Sequence, residues 1–98
     1  MALAKLRRLV LDVLKPHEPS IIVLSQQISA LKGVDGADIT IVGVDRKVEN
    51  ARITLEGENI NYDNVVKIIH DNGGSVKRIN KASSGTIIVH HPHSLLRE

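Results

Sequence analysis

The chain has no cysteine, no tryptophan and no phenylalanine, and Tyr62 is its one aromatic residue. Without cysteine there is no disulfide scaffold, no thiolate-held zinc or iron–sulfur centre, and no cysteine nucleophile. Without aromatics the core has to be built from Val, Ile, Leu and Ala. The stacking platforms on which sheet proteins hold nucleic acid, worth roughly 1–3 kcal/mol per base, are missing too, so specific nucleic-acid recognition is not expected. No apolar run approaches the roughly 18 residues of a membrane span. The segment Met1 to Val10, interrupted by Lys5, Arg7 and Arg8, does not read as a secretory leader. The expectation is a cytoplasmic protein with no membrane partner. Charge is balanced as well: 13 Lys plus Arg against 11 Asp plus Glu leave +2, too little for a polybasic nucleic-acid tail.

What remains is 98 residues, 42% apolar and 24% charged, enough for a single domain over residues 1–98. A domain of this size buries only about two-thirds of its unfolded surface. Association with further copies would add burial that one copy lacks.

Leu6 to Leu14 alternates, with Leu9, Leu11 and Val13 on one face and Arg8, Val10 and Asp12 on the other. This predicts a strand ended by Pro16 and Pro19. Ser20 caps a helix predicted to run to Lys32, with Ile21, Leu24, Ile28 and Leu31 at helical spacing and Gly33 as its stop. Ala37 to Val44 alternates again, Asp45 to Asn50 reads as a hairpin loop, and Ala51 to Glu56 is the returning strand. A second helix, capped by Asn61 or Asp63, carries the stripe Tyr62, Val65, Val66 and Ile69 and closes at Asn72-Gly73-Gly74. Ser75 to Ala82 is a weaker strand, and Thr86 to His91 an added apolar one. Two strand-helix-strand halves with right-handed crossovers interleave into an antiparallel sheet of order 4-1-3-2 with both helices on one face. The expected fold class is α+β, a ferredoxin-like βαββαβ sandwich with an extra C-terminal strand.

The first and third strands are then central neighbours. The register that sets Leu9 opposite Leu55 and Leu11 opposite Ile53 also sets Arg8 opposite Glu56, Val10 opposite Thr54 and Asp12 opposite Arg52 on the face away from the helices. Opposite-charge cross-strand pairs contribute about 0.2–1 kcal/mol each, so one reading is a register device on a solvated face. The functional reading is a polar platform for a small anion, with Arg52, and Arg78 if the fourth strand turns it outward, supplying planar guanidinium donors. Val76 and Ile79 have opposite parity and leave the phase of that strand open.

Asp12, Asp45 and Glu49 are predicted toward one end of the sheet, an oxygen-only set of the kind that suits calcium or magnesium; no other cofactor is expected. His90, His91 and His93 flank Pro92 and do not converge easily, and His17 and His70 read as isolated. No Ser or Thr stands in a nucleophile elbow, and Gly73-Gly74 is a helix stop, not a phosphate loop. Ile22 and Val23 lie beside the buried stripe of the first helix, and Ile87-Ile88-Val89 is apolar on both faces. Such an edge is a template for pairing. It predicts a homo-oligomer joined through the last strand and Leu95-Leu96.

The segments Val10 to Ser20 (VLDVLKPHEPS), Val34-Asp35-Gly36, Val44-Asp45 and Ile53 to Gly57 (ITLEG) together resemble the archaeal family catalogued as domain of unknown function 211, over residues 5 to 90. The resemblance implies a ferredoxin-like subunit of a homo-oligomer with no established activity. Members commonly carry an acid just before Val44-Asp45 and a His-Ser-x-Asp run after the second helix; this chain has Gly43 and Lys77-Arg78-Ile79-Asn80 there. Two acids and a histidine are replaced, which tilts the face toward anions. Three functions compete: a non-enzymatic oligomeric module binding a small ligand or ion through Asp12, Arg52, Arg8, Glu56 and Arg78; a structural assembly protein acting through its subunit interface; and a divalent-metal protein using Asp12, Asp45 and Glu49.

Overall fold

A computed structural model describes residues 2–89 and gives six elements in order: β1 (Leu6–Pro16), α1 (Ile21–Ser29), β2 (Gly36–Val44), β3 (Val48–Glu56), α2 (Tyr62–Asp71) and β4 (Ser75–Ser84). The strands form one antiparallel sheet of order β2-β3-β1-β4, the expected topology read from the opposite edge. Leu24 and Ile28 of α1 and Val65 and Ile69 of α2 share one core with Leu9, Leu11, Val13, Ala51, Ile53 and Leu55. Both helices therefore cover the same side of the sheet, and among the described residues the other side stays open. Among the described residues no helix is long and apolar enough to cross a membrane.

Alternation in β1 sets the two sides. Leu9, Leu11, Val13 and Lys15 are buried toward the helices, whereas Arg8, Val10, Asp12 and Leu14 are half-buried on the open side. Facing β3, the register is the one deduced from charge and burial, with Arg8 opposite Glu56 and Asp12 opposite Arg52. It also runs further than expected, through Lys15 opposite Glu49 to Pro16 opposite Val48. The hairpin loop thereby shrinks to Asp45–Lys47, closed by the Asp45 amide donating to the Val48 carbonyl at 2.8 Å.

Helix α1 starts at the Ser20 cap, whose Oγ accepts from the Val23 amide at 3.4 Å, but ends at Ser29, short of Lys32. The chain leaves it through i→i+3 turns, the Leu31 amide donating to the Ile28 carbonyl and the Val34 amide to the Leu31 carbonyl, both at 3.1 Å. Gly33 lies in the second of these with a φ of +90° that disfavours any side chain, and a Cβ there would lie 2.0 Å from the Asn59 carbonyl oxygen, so glycine is what lets the chain pass against the segment leading into α2. Helix α2 is capped by Asn61, whose Oδ1 accepts from the Asn64 amide at 3.1 Å.

Strand β4 carries irregularities that decide which of its side chains face outward. Asp12 pairs with Arg78 and Val13 with Val76, leaving Lys77 as an inserted residue; Val10 pairs with Lys81 and Leu11 with Ile79, leaving Asn80 inserted. Val76 and Ile79 thus align with the helix-side residues of β1 despite their opposite parity, and Arg78 aligns with Asp12. Beyond Ser84 the chain is held by Arg7, whose Nη1 donates to the Gly85 carbonyl at 3.0 Å while its Nε donates to that of Gly57 at 3.1 Å. Thr86 to Val89, the first part of the expected extra strand, is not in a strand; its remainder, and with it His90, His91, His93, Leu95 and Leu96, lies outside the described residues.

Candidate functional site

The open face is organised in rows that cross all four strands. One row reads Thr40, Arg52, Asp12, Arg78; the next, toward the start of β1, reads Asp38, Thr54, Val10, Lys81; a third reads Gly36, Glu56, Arg8, Ser83. Each row follows from strand parity together with the bulges of β4.

In the first row a single carboxylate lies between two guanidinium groups. Arg52 Nε donates to Asp12 Oδ1 at 2.9 Å and its Nη2 to Oδ2 at 3.4 Å; from the opposite strand Arg78 Nη2 donates to Oδ2 at 3.2 Å. Exposure is unequal across the trio. Asp12 is 13% exposed, Arg52 48% and Arg78 68%. The carboxylate is thus screened by its partners while the guanidinium groups keep donors open to solvent. Arg78 is oriented further by Nε donating to Asn80 Oδ1 at 2.8 Å.

The electrostatics follow from these contacts. Hydrogen bonding from Arg52 first, then from Asn80, with Arg78 assisting, holds the Asp12 carboxyl well below the usual carboxylate range, and Asp12 in turn raises Arg52. At neutral pH all three groups are charged and the trio carries one net positive charge. Lys77 adds an ammonium beside it, its Nζ donating to Asn50 Oδ1 at 3.4 Å. A shallow depression of about 240 Å³ lies there, lined by Asp12, Val42, Gly43, Asn50 and Lys77.

Arg8 and Glu56 form a separate pair. Arg8 Nη2 lies 2.6 Å and Nε 2.9 Å from Glu56 Oε2. Two rows away from Asp12, they neutralise each other, so the excess positive charge gathers at Arg52, Arg78 and Lys77.

The set Asp12, Asp45 and Glu49 is not brought together. Strand parity gives the reason: the register that turns Asp12 to the open face turns Glu49, three positions before Arg52, to the helix side. There Glu49 Oε1 accepts from Lys15 Nζ at 3.0 Å, and its Oε2 lies 3.0 Å from His17 Nδ1. Asp45 is engaged locally, its Oδ1 accepting from the Arg46 amide. Among the described residues no group of three or more His, Asp or Glu is placed to hold a metal ion.

His17 is likewise not isolated, which corrects its reading as a solitary residue. Its Nε2 lies 3.0 Å from the Arg46 carbonyl oxygen, so both ring nitrogens are engaged. The signal for this cluster was present in the chain: Lys15 continues the buried series Leu9, Leu11, Val13, and a buried lysine needs an anion opposite it.

A family model for domain of unknown function 211, described as uncharacterised ArCR, matches residues 7–98. The chain belongs to this family. A relative from Methanocaldococcus jannaschii, itself named only as an uncharacterised protein, is 38% identical over 84 residues, covering 86% of this chain and 87% of the relative. That agrees with the archaeal family read from the VLDVLKPHEPS stretch, and the match extends past residue 90 to the last residue. The positions at which the resemblance leads one to expect acids and a histidine now have a common location. Gly43 and Lys77 line the depression beside Asp12, Arg78 bonds Asp12, and Asn80 bonds Arg78.

Proposed function

We propose that this protein is a non-enzymatic, self-associating cytoplasmic module that binds a small anion on the open face of its sheet, at Arg52, Arg78 and Lys77. The observation that carries the reading is the pair of guanidinium groups on either side of Asp12, with spare donors facing solvent and a lysine beside them. Guanidinium forks suit planar or tetrahedral oxyanions, carboxylate or phosphate, better than they suit metal ions. A non-enzymatic role is supported by the state of Asp12, since a carboxylate held by two arginines and kept ionised is a poor proton acceptor. Small-molecule-sensing domains share this architecture, but the assignment rests on the face itself, because fold does not fix function.

Calorimetry with sulfate, inorganic phosphate, amino acids, nucleotides, and calcium or magnesium chloride tests the reading. Anions are expected to bind the wild-type protein, with affinity falling as salt is added, and Arg52→Ala or Arg78→Ala to abolish the response. Equal anion binding by both variants, or none by the wild type, overturns it. Uptake of calcium or magnesium in place of anions would restore the metal reading.

A structural assembly role is favoured by a different observation. Ile22, Val42, Val44, Ile79, Ile87 and Val89 are large apolar residues exposed on this single chain. Contacts through the C-terminal segment with Leu95-Leu96 would extend that surface. Size-exclusion chromatography with light scattering separates the two readings: a large stable ring that answers no ligand supports assembly alone, and a monomer at micromolar concentration removes self-association from both.

A further inference from the structure

The loop between β1 and α1 is tied to the β2–β3 turn through one imidazole. His17 Nδ1 lies 3.0 Å from Glu49 Oε2 and Nε2 lies 3.0 Å from the Arg46 carbonyl oxygen. An ionised carboxylate and a peptide carbonyl both only accept hydrogen bonds. A neutral imidazole has one N–H and one lone pair, so it can satisfy one of these contacts while setting its lone pair against the other acceptor. The imidazolium, with two N–H groups, satisfies both.

We infer that His17 is a protonation-operated clasp: as the imidazolium it holds the turn Asp45–Lys47 against the β1–α1 loop, and on losing a proton it must release either Glu49 or Arg46.

Neither acceptor is easily displaced to accommodate the neutral ring. Glu49 is fixed on its other oxygen by Lys15, which is 2% exposed and also donates to the Pro16 carbonyl at 2.7 Å. Arg46 lies within the short turn closed by the Asp45 amide and the Val48 carbonyl. The ring itself is 44% exposed, so protons reach it directly from solvent. The charged groups facing it are Glu49 from β3, which favours the imidazolium, and Lys15 from β1, which opposes it. The turn contributes the Arg46 carbonyl, with Asp45 committed to the Arg46 amide; Glu18 follows in the loop. The balance favours charge: the Glu49 bond first and the Arg46 carbonyl second raise His17 above its ordinary value of 6.5. The clasp is therefore closed below that ordinary value and opens as pH rises through the raised one.

Two nuclear magnetic resonance readouts on the intact chain test this: the ring nitrogen shifts of His17 against pH, and exchange protection of the Asp45 amide over the same range, corrected for intrinsic rates. The expected result is a His17 midpoint above 6.5, with both ring nitrogens protonated below it, and a loss of Asp45 protection that follows the same midpoint. In His17→Gln, whose amide offers no titration, Asp45 protection should be low and independent of pH. A His17 midpoint at or below 6.5, Asp45 protection that ignores the titration, or an unchanged pH dependence in the Gln variant each overturns the clasp.

Discussion

Arg52 and Arg78 reach the same carboxylate from opposite sides, one from β3 and one from β4, with Asp12 on the strand between them. An anion arriving from solvent competes with Asp12 for these two guanidinium groups. The residue that positions the donors also limits the affinity of the site.

Replacing Asp12 by Asn should therefore increase anion affinity several-fold while weakening the fold. Sulfate titration by calorimetry measures the first effect. The second depends on pH. The folded-state pKa of Asp12 is depressed, so its contribution is present above the ordinary aspartate value and is lost as pH falls toward the depressed one. Thermal melts of wild type and Asp12→Asn should differ at pH 7 and converge in strong acid.

Arg8→Ala provides the contrast on the same face. Its partner Glu56 is half-exposed and its row is electrically neutral, so the loss should be about 0.2–1 kcal/mol by chemical denaturation. Anion binding should remain within twofold of the wild type. A large loss of binding would mean that the site extends over the whole face.

Gly33→Ala tests the close crossing between the α1–β2 connection and the segment leading into α2. With a positive φ and the Asn59 carbonyl oxygen where a Cβ would sit, the substitution should cost more than about 1 kcal/mol in urea unfolding. A neutral result would show that the crossing there is looser than described.

Leu11→Ala removes a fully buried side chain at the centre of the sheet, opposite Ile53. The expected loss is about 2–5 kcal/mol. Against the roughly 5–15 kcal/mol that holds a domain of this size folded this is a large share, so the urea midpoint followed by circular dichroism should fall well below that of the wild type.

How far the chain could be read without coordinates depended on whether two independent signals coincided. They did for β1 and β3: one register pairs Leu11 with Ile53 and Asp12 with Arg52 at once, and a one-residue slip would spoil both. They did not for β4, where strict alternation puts Val76 and Arg78 on one side. Bulges resolve that conflict and leave no mark in composition. Glu49 was misplaced for a different reason. Its polar surroundings suggested a loop, whereas the buried Lys15 opposite it extends the strand, and the parity already used for Asp12 would have turned it inward. The short α1 was hidden because Ala30, Leu31 and Lys32 are good helix formers that nevertheless leave the helix in turns.

The inserted residues of β4 make strand length at this edge negotiable. Excising Lys77 would turn the bulged step into a regular one, with Val76 still beside Val13 and Arg78 still beside Asp12, at the loss of one ammonium group. The length of this edge can thus change by a residue, and with it how basic the surface is, without scrambling which side chains look outward.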